Sequence, residues 1–251
     1  MSNTTIMWFR QDLRLSDNPA LADAAKNGAV LPVYILDDDN ADDWVMGAAS
    51  RVWLHHSLDA LNKSLNGKLI LKKGDAFTIL RDLCKETGAK GVYWNRCYEP
   101  WRVQRDKKIK EELNVECKSF NGSLLWEPWT IKNQQGEPYK VFTPFYRKGC
   151  LNAASPRAPL DKPHKLDLAD YKDGLCLDDL ELLPAKPRWD KGMISYWDIS
   201  EDGAKKRLRA FLNQELQGYK DGRNFPAQNH VSRLSPYLHF GQISPNQIWH
   251  L

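Results

Sequence analysis

At 251 residues the chain is longer than one small domain requires, and with 42% hydrophobic and 27% charged residues it has the apolar content for a sizeable core, which excludes wholesale disorder. The net charge of +4 permits an acidic partner without requiring one, and no run approaches the roughly 18 apolar residues of a membrane span. Met1 to Arg14 lacks the basic start and apolar stretch of a secretion signal, so a soluble cytoplasmic protein is expected, and five cysteines with no pair at Cys-x-x-Cys spacing predict neither disulfides nor a metal.

The first element is a β-rich run, Thr5 to Phe9, which gives way to a helix pattern at Asn18-Pro19. Asn18 suits a helix cap and Pro19 the first helical position, where its missing N–H is not needed. Apolar runs recur at Val30 to Leu36, Leu69 to Leu71 and Val92 to Trp94, each bounded by Gly, Pro, Asp or Asn, as in strands buried on both faces. Between them Leu54, Leu58, Leu61 and Leu65 form one helical stripe and Phe77, Leu80 and Leu83 another, with Ile109 and Leu113 continuing the theme. This alternation predicts an α/β fold with a doubly wound parallel sheet over residues 1–130. From Pro128 to Pro187 the texture changes, because eight of the 14 prolines fall there. That stretch predicts a connector over 131–199, with Phe142, Phe145 and Tyr146 packed against a domain. A helical domain is expected to start at residue 200, with Ala204, Leu208, Phe211, Leu212 and Leu216 on one helix face and Lys205, Lys206, Arg207 and Arg209 largely on the other. The chain stops in mid-pattern at Leu251, which reads as truncation. Leu208, Phe211, Leu212, Leu216, Phe240 and Trp249 are then expected to lack partners, leaving residues 200–251 protease-sensitive.

In an open parallel sheet ligands bind outside the carboxyl ends of the strands, here Arg10 to Arg14, Asp37 to Asp39, Lys72 to Asp75 and Asn95 to Glu99. No glycine-rich dinucleotide fingerprint and no P-loop follows any strand, and no nucleophile elbow occurs. The acidic run Asp37, Asp38, Asp39, Asp42 and Asp43 reads as a solvated loop rather than a cation site. His55 and His56 are adjacent on a helix and about 100° apart, which argues against shared metal ligation. The tryptophans Trp44, Trp53, Trp94, Trp101, Trp126 and Trp129 read first as core, with a flat chromophore's slot or electron conduction as the alternatives. From Tyr219 to Pro245 hydroxyls, backbone amides and an arginine make an anion pocket for a pyrophosphate plausible, although Ser235-Pro236 is equally a helix start. Seven basic against four acidic residues between Glu201 and Arg233 permit a nucleic-acid face.

Two segments are specific: Trp8-Phe9-Arg10-Gln11-Asp12-Leu13-Arg14-Leu15-Ser16-Asp17-Asn18-Pro19-Ala20-Leu21, and Ser232-Arg233-Leu234-Ser235-Pro236-Tyr237-Leu238-His239-Phe240-Gly241. Together they resemble the photolyase/cryptochrome family, whose order of a Rossmann-like antenna domain, a connector and an all-α FAD-binding domain matches the reading above. Gly47-Ala48-Ala49-Ser50-Arg51 and Tyr93 to Trp101 look like bacterial cyclobutane pyrimidine dimer photolyases of class III. The resemblance implies light-dependent DNA repair, in which reduced FAD drives electron transfer that splits the dimer; a cryptochrome photoreceptor or an isolated antenna module are the alternatives. It also implies that Tyr219, Val231, Ser232, Arg233, Leu234 and Ser235 hold FAD, and that Arg223 reaches UV-damaged DNA. Val231 stands where many members carry Thr. An antenna pigment, 5,10-methenyltetrahydrofolate, is implied near Gly47, Glu99 and Trp101, where folate-binding members often carry Asn-Glu in place of Trp101-Arg102. The catalytic residues are implied to lie beyond Leu251, so that the chain alone is expected to be inactive and to hold flavin weakly, and the longer protein to be monomeric.

Overall fold

The computed structural model describes residues 3–251, apart from the side chain of Asp42, so that Met1, Ser2 and the Asp42 carboxylate of the acidic run lie outside the described residues. Five parallel strands, β1 (Thr4–Phe9), β2 (Ala29–Leu36), β3 (Ile70–Lys73), β4 (Gly91–Asn95) and β5 (Glu116–Phe120), stand in the order β3-β2-β1-β4-β5. Four helices connect them: α1 (Pro19–Lys26), α2 (Ala48–Ser64), α3 (Ala76–Thr87) and α4 (Pro100–Glu112). The order reverses between β1 and β4, and the crevice at that reversal opens outside the carboxyl ends of the strands.

Local chemistry explains the elements. The Asn18 side chain accepts the Leu21 N–H at 3.1 Å, and Asp75 caps α3 by accepting the Thr78 N–H at 2.8 Å. Successive β1 side chains point to opposite faces, so Met7 and Phe9 join one core with Leu21, Leu54, Leu58 and Leu61, whereas Ile6 and Trp8 join the other with Leu80, Leu83, Trp94 and Ile109. Both faces are therefore covered, which is why β1 and β2 read as unbroken apolar runs. β5 has no such run: as an edge strand it is only half-buried, and Glu116-Cys117-Lys118-Ser119-Phe120 carries no strand signature.

Downstream segments are built onto this sheet. Residues 167–175 run along it, with Val30 donating to the Asp167 carbonyl at 2.7 Å and Leu175 to the Leu71 carbonyl at 2.9 Å, and Leu180 and Leu182 enter the first core. The aromatic trio of the connector does not follow. Phe142 is 73% exposed and stacks on Tyr146, while Phe145 meets Tyr139, so these rings pack on one another rather than on a domain.

The helix Glu201–Ala210, capped by Ser200, ends in a π turn at Phe211–Glu215. That turn changes the helical phase, leaving Leu212 and Leu216 37% and 47% exposed, off the face they were expected to share. Leu208, Phe211 and Phe240 do find partners within this chain and are buried, contrary to the sequence expectation; Trp249 stays partly exposed against Trp126. Glu201 accepts the N–H groups of Leu15 and Ser16, Trp53 donates to Gln242 at 2.9 Å, and Leu13 donates to the Phe240 carbonyl at 3.1 Å. Gly241 lies in the left-handed region at φ +67, and a β-carbon there would run into the backbone of Gln11 and Asp12. These bonds tie both ends of the 200–251 stretch, expected to be protease-sensitive throughout, to the sheet domain. No helix among the described residues is long and apolar enough to cross a membrane.

Candidate functional site

Two concavities share one wall. The first lies at the carboxyl ends of β1 and β2 and is lined by Trp8, Arg10, Asp37, Trp44, Trp101, Arg102, Arg105 and Phe240, among others. Its side is a ladder of alternating guanidinium and indole. Arg10 and Arg105 lie 4.7 and 4.6 Å from the Trp8 ring, and Arg105 and Arg102 lie 5.0 and 4.9 Å from Trp101.

Buried carboxylates hold that ladder in place. Arg10 Nη1 reaches both oxygens of Asp106 at 2.8 and 2.7 Å, and Arg105 bonds Asp106 at 3.0 Å and Asp37 at 3.0 Å. Burial disfavours the Arg10 cation, but Cys97, Asp106 and Asp12 more than offset that, and its affinity for the proton is raised. At Arg14 burial wins over Asp12, Asp17 and Glu201 and the shift is downward. Burial likewise pushes the Tyr34 phenol up, so it stays neutral as it lines the pocket.

Not every donor here is paired. Trp8 Nε1, Arg10 Nε and Arg102 Nε are buried without a partner, and all three residues line the pocket. Three orphan donors on residues lining a pocket walled by two indoles suit a flat, acceptor-rich molecule. The volume does not yet suit one: the cavity is about 60 Å³, against a few hundred Å³ for an ordinary ligand pocket. Its outer wall is Trp44, 79% exposed on the loop after β2.

Of the residues implied for the antenna, Trp101 forms a wall. Glu99 sits just before α4 with its carboxylate 3.7 Å from Arg102, and Gly47 sits just before α2 with open space about it; neither lines the cavity. The acidic run is not simply solvated. Asp37 is buried against Arg105, and Asp38 pairs with Arg51 at 2.6 Å.

The second concavity is an open groove of about 910 Å³, lined by Val231, Ser232, Arg233, Leu234 and Ser235 and faced by Trp197, Lys206, Arg207 and Tyr237. Arg207 is the organiser the sequence reading missed, since there it was only one of four basic residues on a helix. Its Nε donates to the Ser232 carbonyl at 2.8 Å and its Nη2 to the Val231 carbonyl at 3.2 Å, while Glu215 accepts from the same guanidinium. Ser235 opens the short helix Ser235–His239, and Arg233 adopts a left-handed φ of +53. Tyr219 and Arg223 stand apart from the groove, Tyr219 edge-on to Phe211 and Arg223 exposed above the Tyr219 ring. The shared wall is the segment 231–240, which contributes its first residues and Tyr237 to the groove and Phe240 to the strand-end pocket.

The family described as DNA photolyase matches residues 5–164, well over half of the chain. The chain belongs to the DNA photolyase family. It is 44% identical over 253 aligned residues to the deoxyribodipyrimidine photo-lyase of Agrobacterium fabrum, covering 98% of this chain and 52% of that protein. Its fold superposes on a bacterial class III photolyase from Agrobacterium tumefaciens with a TM-score of 0.92 at 42% identity, covering 100% of this chain and 53% of the other. Cryptochrome-2 of Arabidopsis thaliana is 33% identical over 99% of this chain and 42% of its own length. The chain thus spans about half the length of the photolyase relatives it matches. As a photolyase-family chain it shares its five-stranded parallel α/β unit with them.

Proposed function

We propose that this chain forms the light-collecting and flavin-anchoring part of a deoxyribodipyrimidine photo-lyase acting on UV-damaged DNA in the cytoplasm, as a monomer. The observation that carries the reading is the shared wall: the strand-end pocket and the groove are faces of one segment, 231–240, fixed to the sheet through Phe240 and Gly241. A pigment pocket and a flavin loop need that kind of fixed relation to work as a pair.

The residues of the groove fit a flavin dinucleotide. Its volume is in the range of cofactor sites, and although Lys206 pairs with the lining Asp198 and Arg207 with Glu215, Lys206, Arg207 and Arg233 leave its lining net basic beside the hydroxyl-bearing Ser232 and Ser235. When bound, reduced FAD supplies the photoexcited electron that opens the pyrimidine dimer. The protein's share is positioning. Arg207, by holding the Val231 and Ser232 carbonyls from behind, orders the loop in advance, so that less entropy is lost when a diphosphate seats against Val231 to Ser235. Val231 brings no hydroxyl and serves through its backbone, and Tyr219 supports the loop from beyond the groove. Arg223, exposed on its turn, contacts the phosphates of the damaged strand.

The strand-end pocket fits 5,10-methenyltetrahydrofolate in chemistry but not yet in volume, so the loop bearing Trp44 has to swing outward to admit it. Trp101 would then offer the pigment a flat face, Arg102 and Trp8 would offer it donors, and Glu99 and Gly47 would lie nearby. The pigment's contribution is absorption of light for the flavin.

The test is a chimera in which residues 1–251 replace the matching half of the Agrobacterium relative, given an oligonucleotide with a single thymine dimer. Repair under blue light and none in darkness is expected. A chimera that folds and retains FAD but repairs nothing would count against the proposal, and would favour the cryptochrome reading suggested by the Arabidopsis relative.

A further inference from the structure

Between the helical turn Tyr219–Gly222 and the groove, the chain makes a loop, residues 223–229, that packs on little else; Arg223, Asn224, Phe225 and Gln228 are all exposed. Such a loop would ordinarily be loose. Its base, however, is closed by a fit between one imidazole and two glycines. A β-carbon placed on Gly218 would overlap Nδ1 and Cε1 of His230, and one placed on Gly222 would overlap Cβ, Cγ and Cδ2 of the same residue. The two glycines are four residues apart, on one face of the turn, and so form a flat notch that the His230 ring covers end to end. Its Nδ1 is buried without a hydrogen-bond partner, so shape rather than a polar contact seats the ring.

Two further fasteners flank the ring. Arg233 Nη2 donates to Asn229 Oδ1 at 2.6 Å, and Arg207 grips the carbonyls of Val231 and Ser232. Within the loop, Arg223 donates to the Tyr219 carbonyl, Phe225 to Gly222 and Gln228 to Phe225, which stiffens it from its own backbone.

We propose that His230 is a positioning residue: by filling the Gly218/Gly222 notch it locks loop 223–229 to the groove-lining segment 231–235, so that Arg223 and the groove move as one rigid piece. The inference rests on the proposed function for what Arg223 and the groove contact, but the latch itself does not depend on any ligand. It makes the two glycines a requirement of the imidazole rather than of a turn, because neither has a left-handed φ.

The experiment compares the whole chain with Gly222→Ala, His230→Ala and His230→Phe. Alanine suits a helical turn better than glycine, so Gly222→Ala leaves the turn intact while evicting the ring. Amide hydrogen exchange at residues 223–228 is expected to accelerate about tenfold or more in Gly222→Ala and His230→Ala, with the sheet amides unchanged. In His230→Phe, where a flat ring without nitrogens refills the notch, exchange is expected to return toward wild type. Unchanged loop exchange in both alanine variants, or failure of the phenylalanine to restore it, overturns the proposal.

A second readout uses a labelled duplex carrying a thymine dimer and the cycle formed by Gly222→Ala and Arg223→Ala. If the latch aims Arg223, removing Arg223 weakens binding in the wild type and has no further effect in the Gly222→Ala background; additive losses overturn that part. Absence of duplex binding in every protein counts against the proposed function, and the exchange result then decides the latch alone.

Discussion

Replacing Asp106 by alanine tests whether the strand-end pocket is organised by buried ion pairs. Asp106 is 8% exposed and receives both Arg10 and Arg105, each of which has a nearly buried side chain. Arg105 keeps Asp37 when Asp106 is removed, but Arg10 keeps only the Asn95 carbonyl and the Trp8 ring face, and is left as a buried cation without a carboxylate in contact. Breaking one side of such a pair costs about 3–5 kcal/mol, because the surviving charge stays desolvated. With a urea dependence of about 3 kcal/mol per molar, that lowers the unfolding midpoint by about 1–1.7 M. Circular dichroism at 222 nm through a urea series, with tryptophan fluorescence recorded in parallel, is the assay. Since Arg10 and Arg105 both flank the Trp8 ring, the fluorescence should also change in the native baseline. The paired replacement Arg10→Met with Asp106→Leu removes both charges and should recover most of the loss. A midpoint within about 0.3 M of wild type for Asp106→Ala, equivalent to less than about 1 kcal/mol, would refute the reasoning.

Other outcomes follow from the same geometry. Gly241→Ala forces a left-handed residue against the Gln11 backbone and should cost more than the roughly 1–3 kcal/mol of the strained φ alone, read as a fall in Tm. Arg207→Met frees the Val231 and Ser232 carbonyls and should weaken FAD retention at least tenfold, measured by flavin fluorescence in the chimera. Burial works against the ionised Glu201 carboxylate, but Lys205, Ser16 and the Leu15 N–H outweigh it and hold its pKa below the ordinary value of 4.5. Its stabilising contribution is therefore complete above about pH 5 and lost as the pH falls through the lowered folded value; Glu201→Gln should flatten that part of a stability profile taken from pH 6 to 3.

The sheet was legible where strands are buried on both faces, because burial forces the apolar runs that marked β1, β2 and β4. Asn18 and Pro19 announced α1 through capping chemistry that is purely local. β5 stayed hidden because an edge strand needs no apolar run, and residues 167–175 because they join the sheet through backbone groups, which every sequence possesses. The phase change at Phe211–Glu215 left no mark either, since a π turn uses ordinary helix formers. Trp101 and Val231 to Ser235, which line the two concavities, were singled out by resemblance. Arg105 and Asp106 were not: their meaning depends on Arg10 and Asp37, many residues away, and a charged pair on a helix otherwise reads as surface. The acidic run misled for the same reason.

The most direct measurement is a titration of the chain with 5,10-methenyltetrahydrofolate, followed by pigment fluorescence. Saturable one-to-one binding is predicted, weakened by Trp101→Ala and Arg102→Ala and made faster by Trp44→Ala, which removes the outer wall without touching the core. No binding, or binding indifferent to all three substitutions, would contradict the account.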